Sequence, residues 1–229
     1  MTGATKAATA APQGIATGHI ARAISGPTEL SILDALRHCG CKFLSRDDAG
    51  QHQEIQLGAG LRKVARRGTY CAMHLEREAA NLAAALSPDG LDSAAIDRIN
   101  LYISPPGSGT PMHFDVRWIV VVQLAGSKLW QVGAGPAVDN PTSNVVADEL
   151  AGKADYHGNF LALPDRMLFV LLRPGDWLMV PWATWHGTYS QNGSVSATLA
   201  FADGATPDLP ADFATQRASA LTEGPRLLC

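Results

Sequence analysis

"RWIVVVQLAGSKLWQV", Arg117–Val132, decides how this chain folds. Its first half, Trp118 to Leu124, is almost continuously apolar and β-branched, with no polar residue at every second place. A strand buried on both faces reads this way. Ala125-Gly126-Ser127 then makes a short loop, and Lys128–Val132 a second strand, so a hairpin is expected here. The same texture continues on either side. "RINLYIS" precedes it, with the turn cluster "PPGSG" between, and "MLFVLLR", "WLMVP", "HGTYS" and "SVSATLAFA" follow. Pro174-Gly175 fits the central positions of a type II turn, and Asn192-Gly193 is a hairpin signal. Short strands separated by turns, without strand–helix alternation, argue for an antiparallel barrel or jelly roll and against a parallel α/β sheet.

The flanking regions differ. Residues 1–24, rich in Ala, Thr and Gly, are expected to form a disordered tail. Residues 25–96 are expected to be a helical N-terminal region packing on the barrel. "PTELSILDALRHCG" starts at Pro27-Thr28 and stops at Gly40, and "MHLEREAANLAAAL" holds strong helix formers. Residues 97–203 form the core, and 204–229 a C-terminal segment. Within the core, residues 134–166 are expected to form an insertion loop, with a short helix at "VADELAG". The fold class is thus mainly β with a helical N-terminal extension.

The chain has 229 residues, enough for one domain with an extension, and 46% apolar against 17% charged content fits a soluble globular protein. A net charge of −3 offers no basic field for nucleic acid or an anionic membrane, and the run "RKVARR" reads as a solvated face. Cys39, Cys41, Cys71 and Cys229 form no CxxC pair, so free thiols in a reducing compartment are expected. With no signal-peptide pattern and no span of about 20 apolar residues, the expected location is the cytoplasm.

The last strand has two unlike faces. Val195, Ala197, Leu199 and Phe201 are bulky, whereas Ser194, Ser196, Thr198 and Ala200 are small and mildly polar, which suits the wall of a ligand cavity or a solvent face. "SGTPMHFDVRW" adds His113 and Asp115, two residues apart and able to point the same way on an extended strand. That pair alone is weak. His186, after "PGDWLMVPWATW", can supply the second imidazole of a two-His, one-carboxylate facial metal site. Lys128 begins the next strand; if buried it needs an anion, which a bound organic acid would provide. The Thr110 hydroxyl could bind the same carboxylate.

Taken together, "NLYISPPGSGTPMHFD", "VVQLAGSKLW", "PGDWLMVPWATWH" and "SVSATLAF" resemble the JmjC domain, over roughly residues 97–202. The resemblance implies a cupin-type double-stranded β-helix and an oxygenase dependent on Fe(II), 2-oxoglutarate and O2. It implies His113, Asp115 and His186 as iron ligands, and Lys128 and Thr110 as holders of the far carboxylate of 2-oxoglutarate. Two positions depart from the pattern: Ile119 and Ala200 stand where members carry Asn. Tyr102, Ser196 and Thr198 are the candidates to replace those contacts. No zinc module of the kind found in many histone demethylases is visible, which points to the small hydroxylases of the family.

The implied reaction hydroxylates a protein or peptide side chain and decarboxylates 2-oxoglutarate to succinate. Three alternatives stay open: the same chemistry on a free amino acid or natural-product intermediate, a cupin-type metal protein without 2-oxoglutarate chemistry, and an inactive regulatory relative. Arg117 shares strand parity with His113 and Asp115, and Asn140, Tyr156 and His157 lie in the long 134–166 segment. These four are the candidate substrate contacts. Nucleic-acid and membrane partners are not expected, and a homodimer is compatible with the sequence.

Overall fold

The computed structural model describes residues 16–19, 42–46, 52–56, 69–77, 82–88, 90–207 and 222–226. Its strands are β1 (Ala16–His19), β2 (Lys42–Arg46), β3 (His52–Gln56), β4 (Tyr70–Ala72), β5 (Ile96–Ser104), β6 (His113–Phe114), β7 (Ile119–Gly126) and β8 (Lys128–Pro136). They continue as β9 (Val145–Val146), β10 (Lys153–Tyr156), β11 (Asn159–Ala162), β12 (Arg166–Leu172), β13 (Asp176–Val180), β14 (Thr184–Tyr189), β15 (Ser194–Phe201) and β16 (Thr222–Pro225). One sheet has eight strands in the order β1-β13-β7-β15-β5-β4-β2-β3, and the other six, β16-β12-β8-β14-β6-β9. The β10–β11 hairpin stands apart as a sheet of two. Both large sheets are antiparallel throughout, which is the expected jelly roll.

The β7 run explains itself in this frame. Ile119 and Val121 pack between the sheets with Trp130, Val132, Val170, Leu172, Leu178, Val180 and Ala200. Val120 and Val122 face outward, but they are covered with Ile99, Leu101 and Leu199 by Leu75, Leu86 and Leu91. Both faces are therefore buried, and each such side chain contributes about 1.5–3 kcal/mol. A third cluster, Met112, Phe114, Val145, Met167 and Trp185 among others, covers the outer face of the six-stranded sheet.

Several local expectations change. β7 and β8 are not a hairpin, because they lie in opposite sheets and Gly126-Ser127 is a corner. Asn192-Gly193 likewise joins β14 to β15 across the sheets; Gly193 alone of the two has positive φ, +89°, so the two-residue hairpin geometry is absent. Pro174-Gly175 keeps its turn type, with Gly175 at φ +90° and Asp176 N–H donating to the Arg173 carbonyl at 2.8 Å, and it too is a corner. Jelly-roll strands alternate between sheets, so turn residues mark a reversal without saying which sheet receives it.

The 134–166 segment is not a bare loop, since β8 runs to Pro136 and β9, β10 and β11 follow. "VADELAG" forms no helix. Val145–Val146 is strand, Val145 is buried, and Asp148 bridges to Lys153 around a turn. So short a segment nucleates a helix poorly, and the burial of Val145 outweighs it.

The described residues of the N-terminal region include strands where helix was expected. β2, β3 and β4 extend the large sheet, and β1 lies within residues 1–24. Of Met73–Leu86, the structure describes a 3-10 turn at Leu75–Arg77 and one helical turn, α1 (Leu82–Leu86). His74 has φ +65°, and Glu76 accepts from Ile99 N–H at 2.8 Å, which pins this stretch to β5 instead of a continuous helix. The stretches "PTELSILDALRHCG" and "RKVARR", and Cys39, Cys41 and Cys229, lie outside the described residues. No helix among the described residues is long and apolar enough to cross a membrane.

Candidate metal centre

β6 and β14 are neighbours, and their one paired position is His113 opposite His186. Directly opposed residues share a face, and the two rings lie 4.1 Å apart between centroids. Asp115 follows just past the end of β6. His186 Nε2 is 3.7 Å from Asp115 Oδ2, and one donor atom from each of the three residues falls within 4.8 Å of the others. The Asp115 backbone is fixed from two sides: its carbonyl accepts from Ala183 N–H at 2.8 Å, and Val116 N–H donates to Asn144 Oδ1 at 2.9 Å.

The imidazoles are oriented by carbonyls two residues upstream. His113 Nδ1 lies 2.7 Å from the Pro111 carbonyl, and His186 Nδ1 lies 2.8 Å from that of Thr184. A carbonyl only accepts, so each Nδ1 carries a proton and each Nε2 is the ring atom left to face a metal. Burial, with the His113 ring adding to it, holds His186 well below the usual histidine range, while the Asp115 carboxylate opposes this. His186 is therefore neutral. Trp130 stacks against it at 5.8 Å and 23°. Two imidazoles and one carboxylate make the donor set of a facial site for a divalent first-row metal.

These three groups open into a cleft of about 340 Å³, solvent-open part included. Tyr102, Thr110, Lys128, Ser196 and Thr198 all line it, as do Ile119, Trp130 and Thr188. Lys128 forms part of the floor, is 1% exposed, and comes from the sheet opposite Ser196, whose Oγ accepts from Nζ at 3.0 Å. Burial pushes the Lys128 ammonium down to about 7, with nearby Cys71 opposing. Cys71, Tyr102 and Ser196 are side by side on β4, β5 and β15. Burial in turn pushes the Cys71 thiol up to about 12. Thr110 Oγ1 and Thr188 Oγ1 lie 2.9 Å apart, and Thr188 Oγ1 also accepts from Thr110 N–H at 2.9 Å.

Sequence reasoning passed over Thr188 as a pocket residue. Strand parity could have found it, because Thr188 is two residues beyond His186.

The four expected substrate contacts are not brought to the cleft wall. Arg117 is ion-paired to Asp97 and, at 2.6 Å, to Asp203, and donates to the Phe201 carbonyl at 3.1 Å. Its parity argument fails because β6 ends at Phe114, so strand alternation does not reach residue 117. Tyr156 and His157 close on Thr142 instead, through Thr142 N–H to the Tyr156 hydroxyl at 2.9 Å and a 2.8 Å contact between Thr142 Oγ1 and His157 Nε2. Asn140 is exposed in a turn with φ +48°.

The sequence model of one family, described as the JmjC domain, matches residues 77–209. The chain belongs to the JmjC family. Among curated proteins, YxbC of Bacillus subtilis strain 168, an uncharacterized protein, is 29% identical over 133 residues, 53% of this chain and 38% of YxbC. Among solved structures, Escherichia coli YcfD superposes with a TM-score of 0.58 at 17% identity, covering 85% of this chain and 51% of YcfD. A second YcfD structure, described as a ribosomal oxygenase in complex with cobalt and 2-oxoglutarate, gives 0.53 at 18% identity, covering 79% of this chain and 45% of that one. At these identities the likeness is one of fold. This JmjC chain spans about half the length of YcfD.

Proposed function

We propose that this JmjC protein is an Fe(II)- and 2-oxoglutarate-dependent dioxygenase that hydroxylates a side chain of a protein or peptide. The observation that carries the reading is the pairing of two features in one cleft: three metal-donor atoms within 4.8 Å of one another, and a buried lysine ammonium on the floor. A buried ammonium that donates to the neutral Ser196 hydroxyl and lies 5.9 Å from the Tyr102 ring centroid calls for an anion, and a dicarboxylate reaching from the metal to the floor supplies one. YcfD has been crystallised with cobalt and 2-oxoglutarate and with cobalt and succinic acid, which supports the same ligand class. Its description as a ribosomal oxygenase supports a substrate presented by a macromolecule.

In this reading His113, Asp115 and His186 would hold Fe(II), a donor set that leaves room for further ligands. With 2-oxoglutarate bound, the metal supplies O2 activation: 2-oxoglutarate, O2 and R–H become succinate, CO2 and R–OH. The chain's own groups bind and orient. Lys128 and Ser196 take the far carboxylate, a compact ammonium giving charge without a fixed fork. Thr110, Thr188 and Tyr102 surround it with hydroxyls, and Thr198 lines the wall beside them. Ile119 and Trp130 supply apolar walls that keep water from the reacting centre. Anaerobic addition of Fe(II) and 2-oxoglutarate should give the visible charge-transfer band of the chelate. No band in the wild type, or an undiminished band in His113→Ala, would reject the reading; succinate release against peptide pools then reports the substrate.

A further inference from the structure

Arg98 sits on the interior face of β5. Ile99, Leu101 and Ile103 pack on the outer cluster, so alternation turns Arg98, Asn100 and Tyr102 inward. The pairings agree: Tyr102 opposes Ser196, Asn100 opposes Thr198, and Arg98 opposes Ala200. Ala200 pairs onward with Ile119, a wall of the cleft. Ala200 also packs with Val132, the cross-strand partner of His186. Arg98 therefore stands near the level of the metal ligands. Ser196, which receives Lys128, is four residues deeper along β15, roughly 13 Å at strand rise. The two cations thus stand at different levels of the interior, Lys128 in the cleft lining and Arg98 two strands from Ile119 of its wall.

One nitrogen of Arg98 also lacks a partner among the described residues. Its Nε is buried with no hydrogen-bond partner. The nearby carboxylates have other partners: Asp97, which also feels the Arg98 charge, and Asp203 pair with Arg117, and Glu76 meets Ile99 N–H and the His74 ring. A half-buried guanidinium on the interior face, with its Nε unsatisfied, is poised for an anionic ligand, and its planar fork matches a carboxylate. Resting on the function proposed above, the metal and Lys128 already account for both carboxylates of 2-oxoglutarate. We propose that Arg98 binds a carboxylate of the substrate, so that the hydroxylated carbon lies close to an acidic group, either an Asp or Glu side chain of a peptide or the α-carboxylate of an amino acid.

The test uses binding without turnover. The full chain is loaded with Zn(II) and 2-oxoglutarate, immobilised, and offered matched pools: peptides containing Asp or Glu against their Asn or Gln twins, and free amino acids against their amides. Retained species are quantified by mass spectrometry. The expected result is roughly tenfold preference for acids over amides, the range of one charge-assisted contact. That preference should be abolished in Arg98→Gln and partly kept in Arg98→Lys, which preserves charge but not the fork. Preference confined to one pool identifies the carboxylate's source. Equal retention of acids and amides, retention of neither, or a preference that persists in Arg98→Gln overturns the proposal. The Fe(II)–2-oxoglutarate band of the wild type separates the outcomes: without it the parent reading fails, and with it only the role of Arg98 is at stake. The same band in Arg98→Gln shows that the variant has folded.

Discussion

Lys128 and Ser196 meet across the interior, one from each sheet, with Nζ donating to Oγ at 3.0 Å and both side chains buried. That contact sets a pH dependence. In the free protein burial lowers the Lys128 ammonium to about 7. A bound carboxylate favours the charged form and raises it again. Below about 7 the free lysine is already charged and affinity for 2-oxoglutarate is insensitive to this group. Above about 7 the lysine must take up a proton on binding, so affinity falls with rising pH, by up to about tenfold per pH unit. Calorimetry in buffers of differing ionisation enthalpy should show about half a proton taken up per 2-oxoglutarate at pH 7 and close to one at pH 8.5. No proton uptake at either pH would mean that Lys128 does not hold the cosubstrate.

Much of this site was legible beforehand, and the reason is strand parity. Ser196 and Thr198, and the paired positions of β5 and β15, follow from period-two alternation once a strand is recognised, and His113 and Asp115 converge as that spacing suggests although Asp115 lies one residue past β6. The buried β7 run was legible because both of its faces are apolar. What failed was everything that depends on which sheet a strand joins. The β7–β8 corner looks like a hairpin in sequence because Ala-Gly-Ser serves either geometry. Arg117 was misplaced for a related reason: parity was carried past Phe114, where the backbone leaves the strand, and two carboxylates distant in sequence, Asp97 and Asp203, claim its guanidinium. Arg98 was overlooked because a lone Arg inside an apolar strand is indistinguishable from a solvent-facing one until its cross-strand neighbours are known.

Lys128→Met should separate stability from binding. Methionine fits an apolar, irregular space, and the change removes a desolvated ammonium that the ligand-free fold has to carry. The ligand-free variant is expected to be as stable as the wild type or more stable by about 1 kcal/mol, in line with replacement of buried charges by packed apolar groups. Its 2-oxoglutarate affinity should fall on the order of 100-fold. Urea melts with and without 2-oxoglutarate give both quantities. A destabilised variant that still binds 2-oxoglutarate normally would assign Lys128 a structural role only.

Gly109 permits the approach that places Thr110. A Cβ built there would lie 1.8 Å from the Thr188 carbonyl oxygen. The two segments are held together by Thr188 N–H to the Thr110 carbonyl at 3.0 Å and Ser190 N–H to the Ser108 carbonyl at 2.8 Å. A backbone oxygen cannot rotate away as a side chain could, so Gly109→Ala must push the strands apart. A loss of about 2–3 kcal/mol in stability is expected. Because Thr110 and Thr188 share a hydrogen bond in the cleft, 2-oxoglutarate affinity should weaken with it. Chemical denaturation and calorimetry check the two effects, and an unaffected Gly109→Ala protein would show that the close approach does not exist in solution.

The three donor groups should behave as one site toward a metal. Co(II) serves as a spectroscopic stand-in for Fe(II), and a titration of the wild type is expected to saturate at one ion per chain. His186→Ala removes an imidazole whose proton is already fixed on Nδ1 by Thr184. Asp115→Asn keeps the shape and removes the charge that balances the cation. Loss of an outer partner of a metal ligand typically costs 10–100-fold in affinity, so loss of a ligand itself should cost on the order of 100-fold or more. The same difference must appear in stability, since a ligand held only by the folded chain raises unfolding free energy by about 2.7 kcal/mol at a concentration 100 times its Kd. Wild-type protein should therefore melt higher with Co(II) than with a chelator, and both variants should melt the same with either. A Co(II)-dependent rise that survives in Asp115→Asn would place the bound ion elsewhere on the chain.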